Sequence, residues 1–243
     1  MSSRRWPSRL ATTALTGALL AVCVGGPAAA ATLGGLNGGN LLNQILTGPT
    51  LYVGDSFTGV GSSTLAGRVA DTGQTWTVSR PSFALNAAGT AAVSTNGATL
   101  ATAWVPTQLT AYTAQVELTR TAASARQAGL YLNVDPTGMS GITVTWVRVS
   151  AASGNLVLGK VTGGNTITVL NTRTSVPLPA NTTQTLTVVC NGAGTYTISL
   201  GATGPYQVTL SAPDQATFGA NTRAGLVTNQ TTATTLDNFS VQP

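Results

Sequence analysis

The 243-residue sequence has no histidine, one glutamate, five aspartates and two cysteines, and charged side chains make up only 7% of it. Each shortage closes a class of chemistry. Without an imidazole there is no Ser-His nucleophile pair and no histidine general base. Without histidine, and with one cysteine left once the leader described next is set aside, a zinc site of ordinary composition has no ligands. No Gly-rich phosphate loop opens a helix, which argues against nucleotide binding. Lys160 is the only lysine and no Lys/Arg cluster exists, so nucleic acid is not an expected partner.

Residues 1–31 read as a signal peptide. Arg4, Arg5 and Arg9 form a basic start, an apolar stretch runs from about Leu10 to Val24, and Pro27-Ala28-Ala29-Ala30-Ala31 offers small residues for cleavage. The apolar run is short for a bilayer, so no transmembrane segment is expected and the product is expected outside the cell. The leader holds three of the eleven basic residues, which leaves eight against six acids and a net charge of +2 rather than +5. Cys190 then stands alone in the apolar stretch Leu186-Thr187-Val188-Val189-Cys190. It reads as a small buried hydrophobe, with an intermolecular bridge as the alternative.

Residues 32–50 read as a separate arm. Leu33-Gly34-Gly35-Leu36-Asn37-Gly38-Gly39-Asn40 has the composition of a flexible linker, and Leu41-Leu42-Asn43-Gln44-Ile45-Leu46 offers an apolar segment for self-association. Residues 51–243 read as strands. Ala114, Val116 and Leu118 alternate with Thr113, Gln115 and Glu117; Ile142, Val144 and Trp146 alternate with Thr143 and Thr145; Tyr196, Ile198 and Leu200 alternate with Thr195, Thr197 and Ser199. Asp135-Pro136-Thr137-Gly138, Ser153-Gly154-Asn155, Gly163-Gly164-Asn165 and Asn191-Gly192-Ala193-Gly194 supply turns. No stretch keeps a helical period. The expectation is one all-β domain, a meander folded into an antiparallel two-sheet sandwich of about twelve strands.

Both ends of this region carry a resemblance. Asp55-Ser56-Phe57-Thr58, Leu65-Ala66-Gly67 and Thr72-Gly73-Gln74-Thr75-Trp76 resemble the opening of concanavalin A-like, laminin-G-like jelly rolls of secreted bacterial type. Ala224-Gly225-Leu226-Val227 and Leu236-Asp237-Asn238-Phe239-Ser240-Val241 resemble their last two strands. The resemblance covers residues 51–243 and implies a jelly roll whose first and last strands lie side by side. Phe57 and Phe239 would anchor that pair and Trp76 would cap the core. Glucanase members carry two glutamates and an aspartate on one strand of the concave sheet. Here Glu117 has no second carboxylate between Thr113 and Arg120, and glycoside hydrolysis needs two. Calcium is common in such jelly rolls, and paired ends would bring Asp55 and Asp237 together as ligands for a structural calcium. No other cofactor is expected.

Glycan recognition uses aromatic platforms with polar neighbours. Trp146 shares parity with Ile142 and Val144 and is expected in the core. Tyr131 has the opposite parity to Leu130 and Leu132, so it is expected on an open face with Gln115, Glu117, Asn133 and Arg148 as a polar, aromatic-floored surface. The leading expectation is a secreted, non-catalytic module that binds an extracellular carbohydrate or cell-surface glycan. The alternatives are a structural or adhesive surface protein assembling through residues 32–50, and a glycoside hydrolase with a reduced site at Glu117.

Overall fold

β-branched residues at alternate positions favour pleated strands with one buried face, and the chain is built on that pattern. The structure, a computed structural model, describes residues 52–80, 82–97 and 99–243. The expectations for the leader and for the arm fall outside these residues. Fifteen strands and one helix are present among the described residues, where about twelve strands were expected. The excess comes from three-residue strands such as β1 (Val53–Asp55), β3 (Phe83–Leu85) and β4 (Ala92–Ser94), too short to show a period.

The strands form two antiparallel sheets. The eight-stranded sheet runs β13 (Thr203–Thr209), β12 (Thr195–Leu200), β11 (Thr183–Asn191), β6 (Ala111–Arg120), β15 (Thr234–Gln242), β4 and β3, with β1 also paired to β15. The seven-stranded sheet runs β10 (Thr168–Pro177), β9 (Ser153–Thr162), β8 (Ser140–Arg148), β7 (Gln127–Leu132), β14 (Arg223–Asn229), β5 (Leu100–Pro106) and β2 (Thr77–Arg80). β7 to β10 and β11 to β13 are meanders as expected, but β5, β6, β14 and β15 cross between sheets, which produces the sandwich. Among the described residues no helix is long and apolar enough to cross a membrane.

The main core lies between the sheets. Tyr112, Ala114, Val116 and Leu118 of β6 face it, as do Ile142, Val144 and Trp146 of β8. A second cluster, Leu100, Tyr131, Val134, Val161 and Val227 with Trp104 and Ile167 against it, has the opposite parity and covers the outer face of the seven-stranded sheet. β1 pairs with β15 in the register Val53↔Val241, Gly54↔Ser240 and Asp55↔Phe239, so the first and last strands are neighbours. Trp76 joins their aromatic residues, with ring centroids 5.5 Å from Phe57 and 5.3 Å from Phe239.

The helix α1 (Ala212–Phe218) departs from the all-strand expectation. Seven residues are too few to display a helical period. The local signals are the Ser211 N-cap, whose hydroxyl accepts from the Asp214 N–H, and a proline in the first turn. Lys160 Nζ on β9 donates to Asp214 Oδ1 at 2.5 Å and ties the helix to the seven-stranded sheet. That bond holds the Asp214 carboxyl below its ordinary value of 3.8, against a smaller opposing effect of burial. A depressed carboxylate contributes stability in full above its unfolded value of about 4 and loses it as pH falls through the folded value. Asp214→Asn should therefore lower the thermal midpoint at neutral pH, and the variant and the parent should converge in a melting series as pH falls through the depressed folded value.

Candidate functional site

The outer face of the seven-stranded sheet is grooved where β7, β14, β8 and β9 run beneath the turn between β9 and β10. The groove is a cleft of about 350 Å³, at the low end of the range for small-molecule sites. Its apolar lining is aliphatic: Leu100, Val147 and Val157 from the sheet, with Ile167 and Val169 from the covering turn and β10. Its rim is made of neutral polar groups: Thr99, Gln127, Asn165, Thr166, Asn229 and Gln230. Among the described residues no charged side chain lines it.

Strand pairing sets the rim. Gln127 and Asn229 are cross-strand partners in the β7–β14 register. Asn229 Nδ2 donates to Gln127 Oε1 at 3.1 Å, and Gln127 Nε2 donates to Thr145 Oγ1 at 2.9 Å. This chain of bonds orients both amides and leaves the Asn229 carbonyl and its second Nδ2 hydrogen outside it. Two oriented amides over aliphatic side chains can bind the hydroxyls of a neutral ligand while its C–H face rests on the floor.

The surface expected around Tyr131 does not assemble. Tyr131 is on the outer face, as its parity implies, but it is fully buried there. It lies over Gly141, whose missing side chain leaves room for the ring, and its hydroxyl donates to the Gly138 carbonyl at 3.3 Å. Burial pushes its phenol up to about 12. Gln115 and Glu117 are on the outward side of β6, across the sandwich from Tyr131. Arg148 ends β8 and donates to the Ala123 carbonyl at 2.7 Å.

Asn133 is buried rather than presented. It breaks the alternation of β7 with a φ of 47°, a left-handed conformation that asparagine tolerates. Its Oδ1 accepts from the hydroxyls of Tyr196 at 2.8 Å and Tyr112 at 3.2 Å, and its Nδ2 donates to Asn221 O at 3.1 Å. The Cys190 thiol lies 3.7 Å from the same Oδ1 and 3.4 Å from Thr110 O, so the cysteine is buried at this hub and forms no disulfide among the described residues.

The two acids expected to hold calcium are engaged with other groups. Asp55 Oδ1 accepts from the Phe57 N–H at 2.8 Å and Arg68 Nη2 at 2.9 Å, while Oδ2 accepts from Trp76 Nε1 at 2.7 Å and Arg68 Nε at 3.1 Å. The guanidinium already stands where a cation would. Asp237 faces Glu117 across the β15–β6 ladder instead. Burial raises its carboxyl above the ordinary value, the Asn238 N–H bond opposes this, and Glu117 and Asp55 add to the rise. No second carboxylate near Glu117 is visible in the sequence because its partner lies 120 residues away, on a strand brought alongside only by the sheet pairing. Asn238 Nδ2 donates to Glu117 Oε2 at 3.0 Å, and neither acid lines the cleft. Among the described residues no group of three or more His, Cys, Asp or Glu side chains could hold a metal ion.

Gln127 and Asn229 were missed, although one signal was present. Gln127, Gly129 and Tyr131 share parity, so Gln127 was assignable to the outer face once Tyr131 was; its alignment with Asn229 was not.

No protein-family model matches this chain, and no curated protein matches it in sequence. Among solved structures it is similar to the carbohydrate binding module CBM66 from Bacillus subtilis, at 14% identity and a TM-score of 0.52, over 69% of this chain and 95% of that one. The Caenorhabditis elegans galectin LEC-6 is a weaker match, at 13% identity and a TM-score of 0.40, over 58% of this chain and 89% of that one. What the first likeness shows is architecture: this chain is an all-β, two-sheet jelly-roll sandwich.

Proposed function

We propose that this chain is a secreted, non-catalytic binding module that holds a neutral stretch of extracellular carbohydrate in the Gln127–Asn229 cleft. The observation that carries the reading is the cleft itself, with bonded, oriented amides around an uncharged aliphatic floor. The fold shared with a carbohydrate binding module supports it, and so does a sequence leader that reads as a signal peptide. Kinship with concanavalin A-like jelly rolls belongs to the same proposal.

The whole chain should be retained on at least one of cellulose, xylan and galactan in a pull-down. The double variant Gln127→Ala/Asn229→Ala should lose about tenfold or more of that affinity. Its thermal midpoint should fall by only a few degrees, because both side chains are at a partly exposed rim. Unchanged retention of the double variant, or none of the parent on any polymer, would sink the reading. A second reading, hydrolysis by Glu117 and Asp237, has their juxtaposition in its favour. Release of reducing sugar by the parent and its loss in Glu117→Gln would replace binding with catalysis.

A further inference from the structure

Six buried side-chain polar atoms have no hydrogen-bond partner among the described residues, and three of them lie on the outer face of the seven-stranded sheet: Trp104 Nε1, Thr143 Oγ1 and Arg223 Nε. Arg223 stacks over the Trp104 ring at 5.2 Å. Thr143 sits beside Tyr131 and Gly159 in the ladder, beneath Ile167. Donors left idle in a buried place are costly, and a ligand that engages them recovers that cost.

Arg80 is buried beside this group. Its guanidinium makes five bonds, all to neutral acceptors: Thr102 Oγ1 at 3.4 Å, Gly138 O at 3.3 Å, Met139 O at 2.6 Å, Gly164 O at 2.7 Å and Asn165 Oδ1 at 3.2 Å. The ion pairs among the described residues are Arg68–Asp55 and Lys160–Asp214, so neither Arg80 nor Arg223 is paired with an acid. Asp135, the acid that bears on Tyr131, is bonded to the Thr137 hydroxyl and to the N–H groups of Met139 and Ser140.

Two of the acceptors on Arg80, Gly164 O and Asn165 Oδ1, come from the turn between β9 and β10. They occupy Nη2 and Nε, the two nitrogens of the guanidinium edge that grips a carboxylate side-on. A backbone carbonyl and an amide oxygen thus stand in for the two oxygens of one carboxylate. The turn is exposed from Gly163 to Thr166 and is held to the sheet by these bonds, by Gly163 N–H to Met139 O at 3.1 Å, and by Ile167. Asn165 and Ile167 also form a wall of the neutral cleft.

We propose that this turn covers a second subsite, continuous with the cleft, which takes a uronate unit of an extracellular polysaccharide. The inference rests on the binding reading above and specifies its ligand. With the turn displaced, the uronate carboxylate takes the Nε and Nη2 edge of Arg80. Thr143 Oγ1, which lies beneath Ile167 of the turn, donates to the uronate's hydroxyls, and Arg223 adds a second positive charge.

Titration calorimetry of the whole chain with an oligogalacturonate and with its methyl ester tests this, because the ester keeps the sugar and removes the charge. The acid should bind about tenfold or more tightly than the ester. Asn165→Asp places a carboxylate on Arg80 from within the turn and should weaken acid binding by about tenfold while keeping or raising the thermal midpoint. Asn165→Ala loosens the cover and should tighten acid binding on the order of fivefold. Equal affinity for acid and ester, or an Asn165→Asp variant that binds the acid like the parent, would overturn the subsite and leave the idle donors to buried water. Retention on a neutral polymer through Asn229 with no preference for the acid removes this inference and keeps the binding reading; no binding to any polymer removes both.

Discussion

Asp55→Ala should lower the unfolding free energy by about 3–5 kcal/mol, the largest loss expected from a single substitution in this chain. The substitution leaves three donors without their acceptor: the Arg68 guanidinium, the Trp76 indole and the Phe57 N–H. The Asp55 side chain is fully buried and that of Arg68 is 16% exposed, so an unpaired positive charge would remain largely sheltered from water. A second cost comes from Phe57, which is buried with a φ of 50°, an unfavourable value for a bulky residue. Its bond to Asp55 and its packing on Trp76 within the core hold it there. Urea denaturation followed by tryptophan fluorescence measures the loss. A double variant, Asp55→Ala with Arg68→Met, should recover part of it, because it removes the stranded charge. A single variant within about 1 kcal/mol of the parent would show that the carboxylate is dispensable.

Asn133→Ala should cost about 3 kcal/mol. It removes the acceptor of two buried tyrosine hydroxyls and the donor to Asn221 O, and it puts alanine at a φ of 47°. The phenols report on the same hub. Burial drives the Tyr112 and Tyr196 hydroxyls far above the ordinary value of 10.0, with the Cys190 charge adding to both. A group raised in the folded state gives stability that is full below its unfolded value and is lost as pH rises beyond it, here above about pH 10. In an alkaline titration followed by tyrosinate absorbance, these two rings should ionise only as the protein unfolds. The variant should bring that transition to lower pH. Early, reversible ionisation of all five tyrosines in the folded parent would contradict the hub.

How far the sequence could be read follows from the range of the interactions. The inward faces of β6, β8 and β12 were legible because period-two alternation is local and the buried parity is repeated along each strand. The meeting of the ends was legible through the residues that resemble jelly-roll openings and closings, and Trp76 between Phe57 and Phe239 gives it a physical basis. Tyr131 shows where parity stops. It assigns a residue to a face, but whether that face is open depends on the turn carrying Ile167, which parity does not place. Asn133 defeated the pattern because one left-handed residue exchanges the faces, so that Val134 joins Tyr131 rather than Leu132. The cleft and the Glu117–Asp237 pair were illegible for the same reason, since each unites residues more than a hundred positions apart on strands whose register is settled only by the finished sandwich.

The antiparallel seam between β1 and β15 also sets how the domain answers to tension. Tyr52 N–H reaches Val241 O at 2.9 Å, so the chain enters and leaves at the same end of that seam. Traction between those two points loads its hydrogen bonds in succession, like a zip, instead of shearing them all together. A pulled domain would shed this short strand at low force and keep the sheets behind it closed until Trp76 lost its two ring partners.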